Sequence, residues 1–144
     1  MLVVADTSPL NYLVLIQQDT LLPLLYERVV IPPAVHTELQ RSRTPAVVRQ
    51  WVPHPPAWLT VQPPPQSLSR QQFPRLRNGE LEAIPLAQER HADLLLMDER
   101  DGRRVARGRG LRVTGIIGVL ETAAIRGLID LPSVLAELQA TTFY

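Results

Sequence analysis

An α/β domain with a central, mainly parallel sheet is the fold class this sequence predicts, on three observations. Short, purely apolar runs alternate with segments of helical periodicity, the pattern of strands buried on both faces. Two of those runs, Val3-Val4-Ala5 and Leu95-Leu96-Met97, lead directly into an aspartate, Asp6 and Asp98. The chain has 144 residues, the size of one ordinary domain, so residues 1–144 are read as a single unit. Hydrophobic residues make up 45% and charged residues 20%, which excludes wholesale disorder.

The elements follow in order. Leu2 to Ala5 reads as a strand, and Asp6-Thr7-Ser8-Pro9 as a helix start with Pro9 at the first helical position. Leu10, Leu13, Val14 and Ile16 carry that helix, and a short second one follows Thr20 through Leu24 and Leu25. Arg28-Val29-Val30-Ile31 is a β-branched strand stopped by Pro32-Pro33, and Ala34 to Gln40 is helical, carrying Glu38. Eight of the 14 prolines then fall within 45–74, which we read as a stiff connecting excursion inside the domain. Val47, Val48 and Trp51 suit a short helix within it, and Trp58 to Val61 a strand. Leu81, Ile84 and Ala87 restore helical spacing after Asn78-Gly79, and Leu94 to Met97 is a buried strand. A basic helix from about Gly102 to Arg107, a strand Leu111 to Thr114, and helices Gly118 to Ile125 and Ser133 to Leu138 complete the chain.

Composition removes several function classes. There is no cysteine, so neither disulfides nor thiolate metal sites apply, in keeping with a reducing cytoplasm. No apolar run approaches the roughly 20 residues of a membrane span, and Asp6 follows too soon for a signal peptide. We therefore expect a cytoplasmic protein without a membrane partner. All 15 basic residues are arginine, so no mechanism can use a lysine as Schiff base or phosphate anchor. The net charge of +1 does not by itself select a partner.

The acids carry more information. Ligands of open parallel sheets bind beyond the carboxyl ends of the strands. Asp6 and Asp98 end strands there, Glu38 follows a third strand after a turn, and Glu80 sits in the first turn of the helix leading to the Asp98 strand. Four carboxylates meeting at one edge raise one another's pKa and call for a counter-charge. A hard divalent cation with oxygen ligands supplies it, Mg²⁺ or Mn²⁺ rather than Zn²⁺. Such an ion suits phosphoester cleavage. Taken singly, each acid has a plainer reading as a helix cap or dipole partner.

In order, Val4-Ala5-Asp6-Thr7-Ser8-Pro9-Leu10, Val30-Ile31-Pro32-Pro33-Ala34-Val35 with Glu38-Leu39, Gly79-Glu80-Leu81-Glu82-Ala83-Ile84 with Leu86-Ala87, Leu95-Leu96-Met97-Asp98-Glu99-Arg100 with Gly102 to Ala106, and Val113-Thr114-Gly115 with Gly118-Val119-Leu120 resemble a PIN domain. The likeness is to the small prokaryotic PIN proteins related to VapC toxins, and it spans nearly the whole chain. The resemblance implies a three-layer α/β/α fold and a Mg²⁺- or Mn²⁺-dependent ribonuclease leaving a 5′-phosphate and a 3′-hydroxyl. It also implies a homodimer and a cognate antitoxin. Asp6, Glu38 and Asp98 match the first, second and last acids of the motif. Glu80 is the better match for the third, with Glu82 two residues away on the opposite side of the helix. These four, Asp6, Glu38, Glu80 and Asp98, are the catalytic and metal-ligating candidates. Thr7 and Ser8 match hydroxyl positions that orient the first acid. Pro85 departs from the pattern, since it removes a backbone donor from the helix carrying Glu80 and favours a kink.

Six arginines lie within 98–112, and Arg100 and Arg103 stand nearest Asp98. They are the candidates for substrate phosphates, against the plainer readings of a solvated face or a surface for an acidic partner. His36, His54 and His91 lack ligand spacing and are read as structural. Trp51 and Trp58, each beside an apolar neighbour, are read as packing residues rather than base-stacking ones. The rival to an RNA-cutting toxin is a non-catalytic PIN-like module that binds RNA or protein, with Pro85 marking a degraded site. A phosphate-signalling receiver would need a lysine, and the chain has none.

Overall fold

A computed structural model describes residues 1–143. Five parallel strands form the central sheet: β1 (Leu2–Ala5), β2 (Arg28–Ile31), β3 (Leu59–Val61), β4 (Leu94–Leu96) and β5 (Val113–Thr114), in the order β3-β2-β1-β4-β5. Eight helices accompany them: α1 (Thr7–Leu15), α2 (Leu21–Tyr26), α3 (Pro33–Glu38), α4 (Ala46–Trp51), α5 (Asn78–Glu89), α6 (Arg100–Gly108), α7 (Ile116–Ile125) and α8 (Leu131–Gln139). This is the three-layer α/β/α arrangement expected from the sequence.

The strands read as unbroken apolar runs because successive side chains feed two different cores. Val3, Ala5, Val29, Ile31 and Leu96 pack with Leu10, Leu13, Leu22 and Leu120 of the α1, α2 and α7 layer. Val4, Val30, Leu95 and Met97 pack on the opposite face with Ile84, Leu86 and Ala106 of α5 and α6. Trp51 and Trp58 pack against the first core with ring centroids 6.0 Å apart, as packing residues should.

Chain order positions the site. From β1 the chain winds outward through β2 to β3; α5 then carries it back to β4 on the other side of β1. The order reverses between β1 and β4, and a crevice opens beyond their carboxyl ends. Asp6 and Asp98 stand at that crevice. The Asp6 amide still bonds the Leu96 carbonyl at 2.9 Å, so the two strands remain paired up to the point where the acids emerge.

One local expectation needs correction. Helix α1 begins at Thr7 with Asp6 as its N-cap, so Pro9 occupies the third helical position rather than the first. Its missing N–H falls among the donors that no helix start can satisfy internally, so the helix tolerates it there. Within the proline-rich excursion at 45–74 the short helix and the strand expected from the sequence form as α4 and the edge strand β3, before the irregular stretch 62–77.

Pro85 does not break its helix, because α5 runs from Asn78 to Glu89 through it. An ordinary residue at 85 would donate its N–H to the Leu81 carbonyl. That carbonyl instead accepts the Leu68 amide at 2.9 Å, tying the irregular stretch to α5. Leu68, Phe73 and Leu76 pack beside this tie in the second core. Pro85→Ala supplies a competing donor, so the Leu68 amide is expected to exchange with solvent several-fold faster while the α7 amides are unchanged. Hydrogen exchange read residue by residue checks this.

Candidate functional site

A cleft of about 1610 Å³ opens at the carboxyl edge of the sheet, and Asp6, Glu38 and Asp98 line it together with Thr7, Ser8 and Arg103. The four acids have different local reasons to be where they are. Asp6 caps α1 by position only, since its carboxylate makes no capping hydrogen bond, yet the residue is 5% exposed. Glu38 ends α3, the helix end where the dipole disfavours a negative charge, and it accepts the Thr7 hydroxyl. Neither acid is explained by capping. Asp98 accepts the Ser8 hydroxyl at 2.9 Å and the Ile116 amide at 2.8 Å, so it caps α7 while facing the cleft.

Glu80 differs from the other three. It does not line the cleft but lies beneath it, 2% exposed. Its Oε1 accepts the Arg77 amide at 2.9 Å and so caps α5, while Oε2 is buried without a partner. Glu82 is engaged elsewhere: its Oε1 accepts the Ala34 amide at 2.9 Å and fastens α5 to the start of α3. Between the two glutamates, only Glu80 points inward to the other acids.

Glycines make room for these carboxylates. A Cβ on Gly79 would stand 2.7 Å from Asp6 Oδ1 and 3.2 Å from Glu38 Oε2, so both acids lean on one bare Cα. A Cβ on Gly102 would collide with Glu80 Oε2 and stand 2.6 Å from the Met97 sulfur. A Cβ on Gly115 would strike Asp98 Oδ1 and lie 2.9 Å from Arg103 Nη1, which places that guanidinium beside the acid. Gly102→Ala is therefore expected to destabilise the fold by about 1–3 kcal/mol through overpacking. Thermal denaturation reads it, and Gly108→Ala, which meets nothing within 4 Å, is the control.

The electrostatics follow from this crowding. Asp6 is pushed up to about 8, first by burial, then by Glu80, with Glu38 and Asp98 adding to the rise and the Thr7 amide opposing it. Burial also raises Glu80 and Asp98; the Arg77 amide opposes the first shift, and the Ile116 amide, the Ser8 hydroxyl and Arg103 oppose the second. Asp6 thus feels the other three acids, and among the described residues the only ion pair within 4.0 Å anywhere is Arg77 with Glu99 at 3.9 Å. The donor set that Asp6, Glu38 and Asp98 bring to the cleft is entirely oxygen, none of it in an ion pair within 4.0 Å, and it sits above the Glu80 carboxylate, whose Oε2 is buried without a partner. It fits a hard divalent cation. Among the described residues, no three histidine, aspartate or glutamate side chains stand together so as to hold one metal ion by themselves. Mg²⁺ and Mn²⁺ sites built on a few carboxylates leave the remaining positions to water and phosphate oxygens.

Of the predicted substrate contacts, Arg103 reaches the cleft, whereas Arg100 lies in an adjoining groove with Arg104 and Arg107. Thr7 and Ser8 line the cleft, but their hydroxyls hold Glu38 and Asp98, not the first acid as the resemblance implied. No histidine lines the cleft among the described residues; His91, at φ 49, makes the left-handed exit from α5. Sequence reasoning missed Arg41, Arg43, Arg75 and Arg77 on the cleft wall, together with Asn11. The arginine pair after Glu38 was a readable signal, whereas Arg75 and Arg77 had none until the stretch 62–77 was folded back.

Comparison with known proteins agrees with this fold. A family model described as DUF3368: PIN domain matches residues 2–144. Among solved structures, the chain is similar to a PilT N-terminus domain protein from the hyperthermophilic archaeon Sulfolobus solfataricus P2. The two share 20% identity over 85% of this chain and 93% of that one, with a TM-score of 0.56, a likeness of fold. No curated protein matches the sequence. Among the described residues, no helix is long and apolar enough to cross a membrane.

Proposed function

The chain belongs to the PIN-domain family, whose fold is of nuclease type, and from that premise we propose that it is a divalent-metal-dependent endoribonuclease. The observation that carries the reading is Asp6, a buried acid raised to about 8 among three further carboxylates, with no hydrogen bond that capping would explain. Asp6, Glu38 and Asp98 would hold Mg²⁺ or Mn²⁺ from the cleft, with Glu80 beneath adding negative charge. When bound, the ion supplies the charge these carboxylates lack, acidifies a coordinated water and offsets charge on the leaving oxygen of the phosphodiester.

The chain's own groups do the rest. At neutral pH the Asp6 carboxyl holds a proton, which it would have to release to serve as a metal ligand. Thr7 and Ser8 fix the rotamers of Glu38 and Asp98 through their hydroxyls. The Arg103 guanidinium beside Asp98 is placed to meet a phosphate oxygen, where a planar fork can hold two. Following the family resemblance, we also propose that the protein is a cytoplasmic toxin that works as a homodimer and is restrained by a cognate antitoxin.

The rival reading, a non-catalytic module for RNA or protein, draws on Pro85 as the mark of a damaged site. An unbroken α5 removes that support. Titration with Mn²⁺ separates the two. The nuclease reading expects several degrees of thermal stabilisation and Mn²⁺-dependent cutting of single-stranded RNA to 5′-phosphate ends, abolished by EDTA. Neither stabilisation nor cutting would leave the rival in place.

A further inference from the structure

We propose that the proline-rich stretch 62–77 is a phosphate-binding wall of the cleft, on which Arg75 and Arg77, joined by Arg41 and Arg43, hold the backbone of a single-stranded nucleic acid on one side of the acids. This rests on the reading of the cleft as a nuclease site, and it names which part of the chain grips the strand. All four arginines line the cleft that holds Asp6, Glu38 and Asp98. All are exposed, and among the described residues only Arg77 has a carboxylate within 4.0 Å, an exposed pair at 3.9 Å that holds it weakly. Arg100, Arg104 and Arg107 line an adjoining groove that meets the cleft at Asp98 and Arg103. Positive charge therefore continues from the cleft into that groove.

That pattern selects a phosphodiester chain. An acidic peptide would satisfy the arginines but set its carboxylates against those of the floor. A nucleic-acid strand presents regularly spaced phosphates to the arginines and lays one phosphate over the acids, where a bound cation would offset the like charge. Tyr12 and Phe143, edge to face at 5.1 Å, line the same cleft and add apolar surface beside the charged walls.

The wall is braced before any strand arrives. Leu68 is tied to the Leu81 carbonyl that Pro85 leaves free. Arg70 bonds the Leu76 carbonyl at 3.1 Å and the Asn78 side chain, closing the stretch onto the start of α5. Arg70 is therefore a positioning residue, and Arg75 and Arg77 next to it are presented on a fixed support, which lowers the ordering cost of binding.

The test measures binding of a fluorescein-labelled ten-nucleotide oligouridylate by anisotropy in EDTA, so that cleavage plays no part. Arg75→Gln/Arg77→Gln and Arg41→Gln/Arg43→Gln should each lower the slope of log affinity against log salt by about 1.4, or about 0.7 per lost phosphate contact. They should weaken oligouridylate and oligoadenylate alike. Arg75→Lys/Arg77→Lys should keep the wild-type slope, which guards against mere unfolding. Arg28→Gln/Arg90→Gln, at the opposite edge of the sheet, should change nothing. Wild-type affinity and slope in both wall variants would overturn the proposal while leaving the nuclease reading standing. Failure of the wild-type protein to bind either oligonucleotide would overturn the proposal, while the nuclease reading stands or falls by the Mn²⁺ titration. Displacement of the oligonucleotide by polyglutamate at equal potency would reassign the wall to an acidic protein partner and also overturn it.

Discussion

Asp6→Asn is expected to lower RNA cleavage in Mn²⁺ by at least about a hundredfold and, in the absence of metal, to make the protein more stable at pH 8 than the wild type. The first effect follows from removing a ligand charge without removing volume. The second follows from proton linkage. An aspartate in an unfolded chain ionises near 3.9, whereas folded Asp6 keeps its proton up to about 8. Between those values the folded state binds more protons than the unfolded one, so the wild type loses stability as pH rises, at a rate of about 1.4 kcal/mol per pH step of one. The loss is complete above the folded value, and below about pH 4 the group contributes nothing. Asparagine has no proton to lose, so the variant lacks this slope. Thermal denaturation from pH 4 to pH 9 in EDTA measures it. Addition of Mn²⁺ at pH 8 should raise the melting temperature of the wild type and leave the variant unmoved. Equal pH slopes in the two proteins would mean that Asp6 is not the crowded acid described here.

Gly79→Ala is expected to separate folding from function. Alanine is the better helix former by about 1 kcal/mol, which works in favour of α5. Its Cβ, however, would stand 2.7 Å from Asp6 Oδ1 and 3.2 Å from Glu38 Oε2. Both neighbours are side-chain ends that can move aside, as can the nearby Val35 methyl, so the fold should survive. The two carboxylates must part, and a displacement on the order of an ångström in a catalytic constellation costs about a hundredfold in rate. The expected result is a melting temperature in EDTA within a few degrees of the wild type, a lost thermal response to Mn²⁺, and cleavage down by about two orders of magnitude. A variant that cuts at the wild-type rate would show that Asp6 and Glu38 do not act on a shared guest.

The strands and the acids at their ends were legible because one physical pattern marks both. A strand buried on two faces must be apolar throughout, so the first charged residue after Val3-Val4-Ala5 or Leu95-Leu96-Met97 marks the exit to the carboxyl edge. Glu38 was legible by its distance from β2. The distance to Leu86-Ala87 favours Glu80 over Glu82, whereas helical spacing places the two on different faces without saying which is inward; in the fold Glu82 is bonded to the Ala34 amide. Pro85 looked damaging from the sequence because a lost helix bond is visible there and its replacement by the Leu68 amide, seventeen residues earlier, is not. The arginine wall was hidden for the same reason. Arg75 and Arg77 reach the cleft only through the fold-back of 62–77, which depends on long-range contacts of Leu68, Phe73 and Leu76.

The most direct test of a shared cation site is an anomalous difference map from crystals soaked in Mn²⁺. A strong peak is predicted within coordinating distance of carboxylate oxygens of Asp6 and Asp98, with Glu38 at its edge. A cleft without density at saturating Mn²⁺, or a peak held by other residues alone, would contradict it.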